Sequence, residues 1–205
     1  MLDRVARRTF VPWFDRMAAP LAARGVDPNL LTAVGFVIGI GACVAAGSAA
    51  WWVALALWFA NRLIDGIDGP LARRVGSSPR GGFLDIMADF AIYGGFVLGV
   101  AVGQPDARLA CAALLAGYYV SGSAFLALSS LENLQGDTGE SEPGVDDERS
   151  LRFVGGLAEG TETIVVHALF CIFPSAIAPI AWAFAAAVAL TAIQRVRAGM
   201  RLLPG

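Results

Sequence analysis

Four aspartates lie in stretches that are otherwise apolar, and their spacing gathers them. Along Asn61-Arg62-Leu63-Ile64-Asp65-Gly66-Ile67-Asp68-Gly69-Pro70-Leu71-Ala72-Arg73, Asp65 and Asp68 are three residues apart, so a helix places them on one face. Ala72 continues that face one turn later. In Gly81-Gly82-Phe83-Leu84-Asp85-Ile86-Met87-Ala88-Asp89, Asp85 and Asp89 are four apart and share a face in the same way. The short turn between the two stretches makes them antiparallel neighbours, so the two carboxylate pairs meet. Ionised carboxylates at close range repel one another, and a cation makes such a cluster tolerable. All-oxygen donors suit a hard cation such as Mg²⁺, Mn²⁺ or Ca²⁺, and Mg²⁺ with open positions commonly also binds substrate phosphates. Arg73 is placed to clamp a phosphate. Gly69, Ala72 and Gly81 carry little or no side chain, which lets a ligand approach the backbone. The chemistry this assembly points to is phosphoryl transfer on a diphosphate. The plainer alternative is a structural ion-pair network with Arg62, Arg73 and Arg74.

The elements that must hold these residues are membrane helices. Of 205 residues, 57% are hydrophobic and 16% charged, and the mean hydropathy is +0.64; a soluble domain is nearer a quarter charged. The apolar residues run in long stretches, and a spanning helix needs about 20 of them. Six spans are expected: 28–47, opened by Asp27-Pro28-Asn29; 51–75; 82–102; 107–131; 157–173; and 179–197. The fold class is therefore an all-α integral membrane protein with six transmembrane helices. The organisation expected is one domain over residues 1–205: an interfacial arm (1–27), a six-helix bundle (28–197) and a tail (198–205). The arm scatters Arg4, Arg7, Arg8, Arg16 and Arg24 among Phe10, Trp13, Phe14 and Met17. It reads as an amphipathic juxtamembrane helix interrupted by Pro12 and Pro20, not as a cleavable signal peptide.

All 15 basic residues are arginines, and their placement sets the orientation. With the N-terminus in the cytosol, nearly all of them fall on cytosolic segments, and Arg108 alone stays on the far side. The aspartates then lie at the cytosolic junction of spans two and three. The segment 132–152 is acidic and rich in Gly, Ser and Pro, which reads as a solvated connection. Cys43, Cys111 and Cys171 each stand alone in an apolar run, without the spacing of a metal site or a disulfide framework. Nothing in this composition points to a nucleic-acid partner.

The stretch from Asp65 to Asp89 reads D-x-x-D-G-x-x-A-R, seven residues, then G-x-x-x-D-x-x-x-D. It resembles the signature of the CDP-alcohol phosphotransferases at every fixed position: Asp65, Asp68, Gly69, Ala72, Arg73, Gly81, Asp85 and Asp89. The six-span topology and the amphipathic arm extend the resemblance to most of the chain. It implies a two-metal centre (Mg²⁺ or Mn²⁺) on Asp65, Asp68, Asp85 and Asp89 that neutralises the donor's diphosphate. Asp89 is also implied as general base on the acceptor hydroxyl. That oxygen would attack the phosphorus distal to cytidine, and CMP would leave. Arg73 would steady the diphosphate, Gly69, Ala72 and Gly81 would make room for the cytidine moiety, and Thr32 would line the nucleotide pocket. The activity implied is phospholipid synthesis from CDP-diacylglycerol and a small alcohol. Its same-family alternative is transfer of a CDP-linked head group to diacylglycerol. A divalent-cation transporter is the alternative from another class. A homodimer in a bacterial inner membrane, with its site facing the cytosol, completes the expectation.

The acceptor is expected near the start of span five, where Arg149, Arg152, Glu159 and Glu162 are the candidate binding residues. Glu159, Glu162 and Thr163 form a polar face entering the membrane, which would suit a polyol or an amine. Carboxylates at a helix N-terminus also favour the macrodipole on their own account. This segment departs from the Gly-Lys-x-Lys-Thr-like stretch of glycerophosphate-using relatives, and from the proline that follows Arg-Phe-x-Gly-Leu in serine-using ones. His167, inside span five, reads as a packing or hydrogen-bonding residue before it reads as a second base. Tyr118, Tyr119, Ser121 and Ser123 add polarity to span four.

Overall fold

The computed structural model describes residues 2–136 and 160–202. Among these the chain is helical throughout, in seven α-helices: α1 (Leu2–Ala23), α2 (Pro28–Gly47), α3 (Trp51–Val75), α4 (Pro79–Gly103), α5 (Arg108–Gly136), α6 (Gly160–Ile172) and α7 (Ile177–Leu202). Single 3₁₀ turns over Pro105–Ala107 and Pro174–Ala176 lead into α5 and α7.

Local sequence explains where the site-bearing helices start and stop. Asp27 caps α2, its carboxylate accepting from the Asn29 amide at 2.9 Å, with Pro28 in the first turn. Ser78 caps α4, its hydroxyl accepting from the Gly81 amide at 3.0 Å, with Pro79 following. A capping oxygen satisfies an orphan amide, and proline at the first helical position has no amide to lose. The third expected span therefore begins three residues earlier than Gly82. Between α3 and α4 only residues 76–78 remain, and Gly76 turns the chain at a φ of 113°, a backbone that glycine tolerates.

Small residues let α2 and α4 pack backbone to backbone. Gly95, Gly99 and Gly103 recur every four residues on α4 and face Cys43 and Ala46 of α2. A Cβ on Gly99 or Gly103 would run into the carbonyl oxygens of Cys43 and Ala46. This is the small-residue spacing by which membrane helices approach closely. Trp58, Phe96, Leu114, Phe170 and Ile177, all fully buried, centre the core formed by α2 to α7.

The first helix departs from expectation. Pro12 and Pro20 do not interrupt it; both lie inside the single helix Leu2–Ala23. Tertiary contact offsets the local cost of the prolines. Ala18 of α1 is buried with Ile67 and Leu71 of α3, flanked by Phe14, Met17 and Leu21. A Cβ on Gly66 would lie 2.5 Å from the Phe14 ring, so a larger residue there would displace that ring. Arg74 of α3 ties the same helix with a 2.6 Å bond to Asp15.

Four segments are long and apolar enough to cross a membrane: Pro28–Gly47, Pro79–Gly103, Pro105–Ser130 and Pro174–Arg201. Large apolar side chains on their outer faces, among them Val37, Leu98, Leu109 and Trp182, are exposed. Hydrocarbon, not water, is the solvent that suits so extensive a surface. Helix α3 falls outside this set because its second half carries Arg62, Asp65, Asp68, Arg73 and Arg74; α6 spans only 13 described residues. Both α5 and α7 outrun their expected spans, ending at Gly136 and Leu202. Hydropathy locates the apolar stretch, whereas a helix continues past it while its residues favour helix. The expected tail from 198 is accordingly helical as far as Leu202.

Candidate active site

Helices α3 and α4 bring the signature residues together in one cleft. Asp65, Asp68 and Asp85 each offer a carboxylate oxygen, and the three oxygens lie within 4.8 Å of one another. Thr32 of α2 donates its hydroxyl to Asp68 at 3.0 Å and to the Pro28 carbonyl at 3.1 Å. The three-residue step in α3 and the four-residue step in α4 both fall on the faces that the helices turn toward each other. Three hard oxygen donors at this separation suit a divalent cation, which would relieve their mutual repulsion.

Asp89 lies beside the trio in a different environment. Its Oδ1 accepts from Arg62 Nη1 at 2.9 Å, and the same nitrogen stands 3.5 Å from Asp65 Oδ2. Arg62 belongs to the functional surroundings that sequence reasoning missed, having been counted only among possible structural ion pairs. Its signal was available: a charge inside a membrane helix, one turn before Asp65, marks function by default. Asn61, Trp58 and Tyr93, all of which contact it, carried no comparable signal, because in an apolar helix they read as ordinary packing.

The cleft has a volume of about 1940 Å³, well beyond the roughly 300–1,000 Å³ of sites for drug-sized ligands. Its wall includes Asp65, Asp68, Asp85, Asp89, Gly69, Ala72, Arg73, Gly81 and Thr32, so every residue expected at the donor site lies on it. The space at Gly69 is bounded by the Arg73 guanidinium, whose Nη1 would be 3.7 Å from an added Cβ. Gly81 has a packing reason of its own, since a Cβ there would press on Asn29 Oδ1 and Ser78 Oγ at 3.0 and 3.1 Å. Arg73 forms no ion pair among the described residues, in contrast to Arg62 and Arg74.

The opposite wall comes from α5, α6 and α7. Tyr118, Ser121, Ser123, Thr161, Thr163 and Arg195 line it. Arg195 donates to the Ser121 hydroxyl at 2.8 Å and to its carbonyl at 3.0 Å. The sequence assigned Arg195 to topology alone, because a cytosolic arginine at a helix end is ordinary. Glu162 is not among the lining residues, whereas its neighbours Thr161 and Thr163 are. Arg149, Arg152 and Glu159 fall outside the described residues. His167 is fully buried, stacked on Phe96 and Phe170, with Nε2 3.1 Å from the Tyr118 hydroxyl. Its packing role agrees with expectation, and it does not reach the cleft wall.

Comparison with known proteins decides what this arrangement belongs to. The family model for CDP-alcohol phosphatidyltransferase matches residues 26–194. The chain belongs to that family. It is 38% identical over 201 residues to the inner membrane protein YnjF of Escherichia coli K12, covering 97% of this chain and 95% of that protein. It is 36% identical over 120 residues to a phosphatidylinositol phosphate synthase of Streptomyces avermitilis, a match covering 55% of this chain and 48% of that one. The fold is also that of the Mycobacterium tuberculosis phosphatidylinositol phosphate synthase. The structure of that enzyme with CDP-DAG bound superposes with a TM-score of 0.70 at 17% identity, covering 91% of this chain and 92% of that one. Its complex with manganese and citrate gives 0.72 at 19% identity, covering 91% and 88%. Family membership and four apolar helices make this chain an integral membrane protein of phospholipid synthesis, with a cluster of aspartates suited to a divalent metal.

Proposed function

We propose that this protein transfers a phosphatidyl group from CDP-diacylglycerol to the hydroxyl of a small polar alcohol, releasing CMP. The observation that carries the reading is that all eight signature positions line one cleft, with three of the carboxylates within 4.8 Å of one another. Asp65, Asp68 and Asp85, together with Asp89, would hold a two-metal centre of Mg²⁺ or Mn²⁺. When bound, such ions neutralise diphosphate charge and stabilise the leaving phosphate. Arg73 steadies the diphosphate, and Gly69, Ala72 and Gly81 leave room for the cytidine. Thr32 acts on the same pocket through Asp68, whose carboxylate it fixes. Asp89 takes the proton as the acceptor oxygen bonds to the phosphorus distal to cytidine; the bond from that phosphorus to the CMP oxygen breaks, and CMP departs.

The topology in this reading has six spans, α2 to α7, with α1 as an amphipathic arm on the cytosolic surface. The arginine distribution supports it. The chain is one domain, acts as a homodimer in the inner membrane of a bacterium, and opens its cleft to the cytosol. Tyr118, Ser121, Ser123, Thr161 and Thr163 on the cleft wall support a polar acceptor, and Arg195 supports one carrying an anionic group. The Arg149, Arg152, Glu159 and Glu162 segment remains the second candidate for acceptor binding.

Purified protein supplied with CDP-diacylglycerol and Mg²⁺ or Mn²⁺ should release CMP with at least one of glycerol phosphate, serine, inositol, inositol phosphate, ethanolamine and choline. Asp89→Asn should slow release by about 10²–10⁴-fold, the usual contribution of a general base. Equal release by wild type and variant would remove Asp89 from the base role. Release only when diacylglycerol meets a CDP-linked head group would reverse donor and acceptor.

A further inference from the structure

Arg62 lies outside the signature, yet its guanidinium is bonded to Asn61, Asp89 and Tyr93 at once. Its side chain is 6% exposed. Nε and Nη2 donate to Asn61 Oδ1 at 2.8 and 2.6 Å. The Asn61 amide in turn donates to the Gly35 carbonyl of α2 at 2.9 Å. Nη1 donates to Asp89 Oδ1 and to the Tyr93 hydroxyl, both at 2.9 Å. The guanidinium carbon stands 5.1 Å from the Trp58 ring centroid and 4.7 Å from that of Tyr93. Three helices thus fix one planar cation.

A charge buried this far is costly unless it is paired and its donors are satisfied. Simple neutralisation of the carboxylate cluster would not single out one member, yet the close ionic bond goes to Asp89, with Asp65 at 3.5 Å. The bond is made through Asp89 Oδ1, and no hydrogen bond joins its other oxygen to a described residue. A carboxylate held by one oxygen on a rigid fork cannot rotate freely, so its second oxygen points in one direction. We propose that Arg62 is a positioning residue that orients Asp89 for proton transfer. This rests on the reading of Asp89 as the base. Lysine cannot substitute, because a point charge lacks the planar fork that reaches Asn61, Tyr93 and Asp89 together.

The test compares wild type, Arg62→Gln, Arg62→Lys, Asp89→Asn and the Arg62→Gln/Asp89→Asn double variant. Each is purified in detergent and assayed for CMP release, with Mn²⁺ affinity read by paramagnetic resonance and folding by thermal unfolding. Arg62→Gln should lower kcat by about 100-fold, since misplacement of a reacting group by an ångström costs that much. KM for CDP-diacylglycerol should stay within about threefold. Mn²⁺ should bind at least as tightly, because a cation beside the carboxylates has been removed. Added to Asp89→Asn, the same change should cost no more than about a further twofold, since a residue that acts through Asp89 has nothing left to act on. Arg62→Lys should lose about tenfold in kcat with folding intact, and it carries the test if Arg62→Gln does not fold. Additive losses in the double variant, an unchanged kcat in Arg62→Lys, or Mn²⁺ binding weakened by more than about tenfold would overturn the inference. Should wild type and Asp89→Asn release CMP equally, the base assignment falls and this role falls with it. An active wild type with a dead Asp89→Asn and an unaffected Arg62→Gln defeats the positioning role alone.

Discussion

The two walls of the cleft are built on different principles. The α3–α4 wall draws its chemistry from 25 consecutive residues, Asp65 to Asp89, on helices joined by residues 76–78. The α5–α7 wall assembles Tyr118, Ser121, Thr163 and Arg195 from three helices spread along the chain. In the first, helical spacing puts each carboxylate pair on one face, and a three-residue turn with a shared packing partner, α2, sets the two faces on one cleft. In the second, only the packing of distant helices does so. The contrast teaches what a short motif can carry: the first wall draws on one stretch of chain, and the second is a set of separately replaceable positions.

The comparison can be broken most sharply at the first wall. Asp68→Asn should lower Mn²⁺ affinity by roughly 100-fold or more, since losing even a supporting partner of a metal ligand costs 10–100-fold. CMP release should fall with it, and chelation with EDTA should abolish release in the wild type. Retained activity at saturating EDTA would separate the cluster from metal altogether. The second wall should respond differently. Arg195→Gln should raise the acceptor KM by about tenfold, the worth of a charge-assisted hydrogen bond. It should leave the KM for CDP-diacylglycerol within about twofold. An equal change in both constants would mean that the two walls are not functionally divided. The smallest effect belongs to the pair outside the division, Arg74 and Asp15, whose side chains are 39% and 46% exposed. Arg74→Ala should cost at most about 1 kcal/mol in thermal unfolding and leave CMP release unchanged. A large loss of activity there would give α1 a catalytic part, which its Phe10 and Phe14 on the cleft wall do not by themselves require.

Much of this was legible in the chain. The start of α2 was marked by Asp27-Pro28, and that of α4 by Ser78-Pro79, a pair that apolar counting overlooked. The ends of α5 and α7 were not legible from hydropathy, because leaving the membrane does not end a helix. Pro12 and Pro20 suggested an interruption in α1 that contact with Ala18, Ile67 and Leu71 overrides. Of the polar face expected from Glu159, Glu162 and Thr163, Thr163 lines the wall with Thr161, and Glu162 is not among the lining residues.

By itself the sequence determined the make-up of the aspartate cluster. Asp65, Asp68, Asp85 and Asp89 were fixed by intervals of three and four residues, and helical geometry turns those intervals into faces without help from the rest of the protein. Tertiary structure alone decided that Thr32 reaches Asp68 from α2, that Arg195 stands on the facing wall, and that Arg62 holds Asp89 while the other three carboxylates converge. Those relations depend on how separate helices are rotated and packed, and no spacing along one helix encodes them.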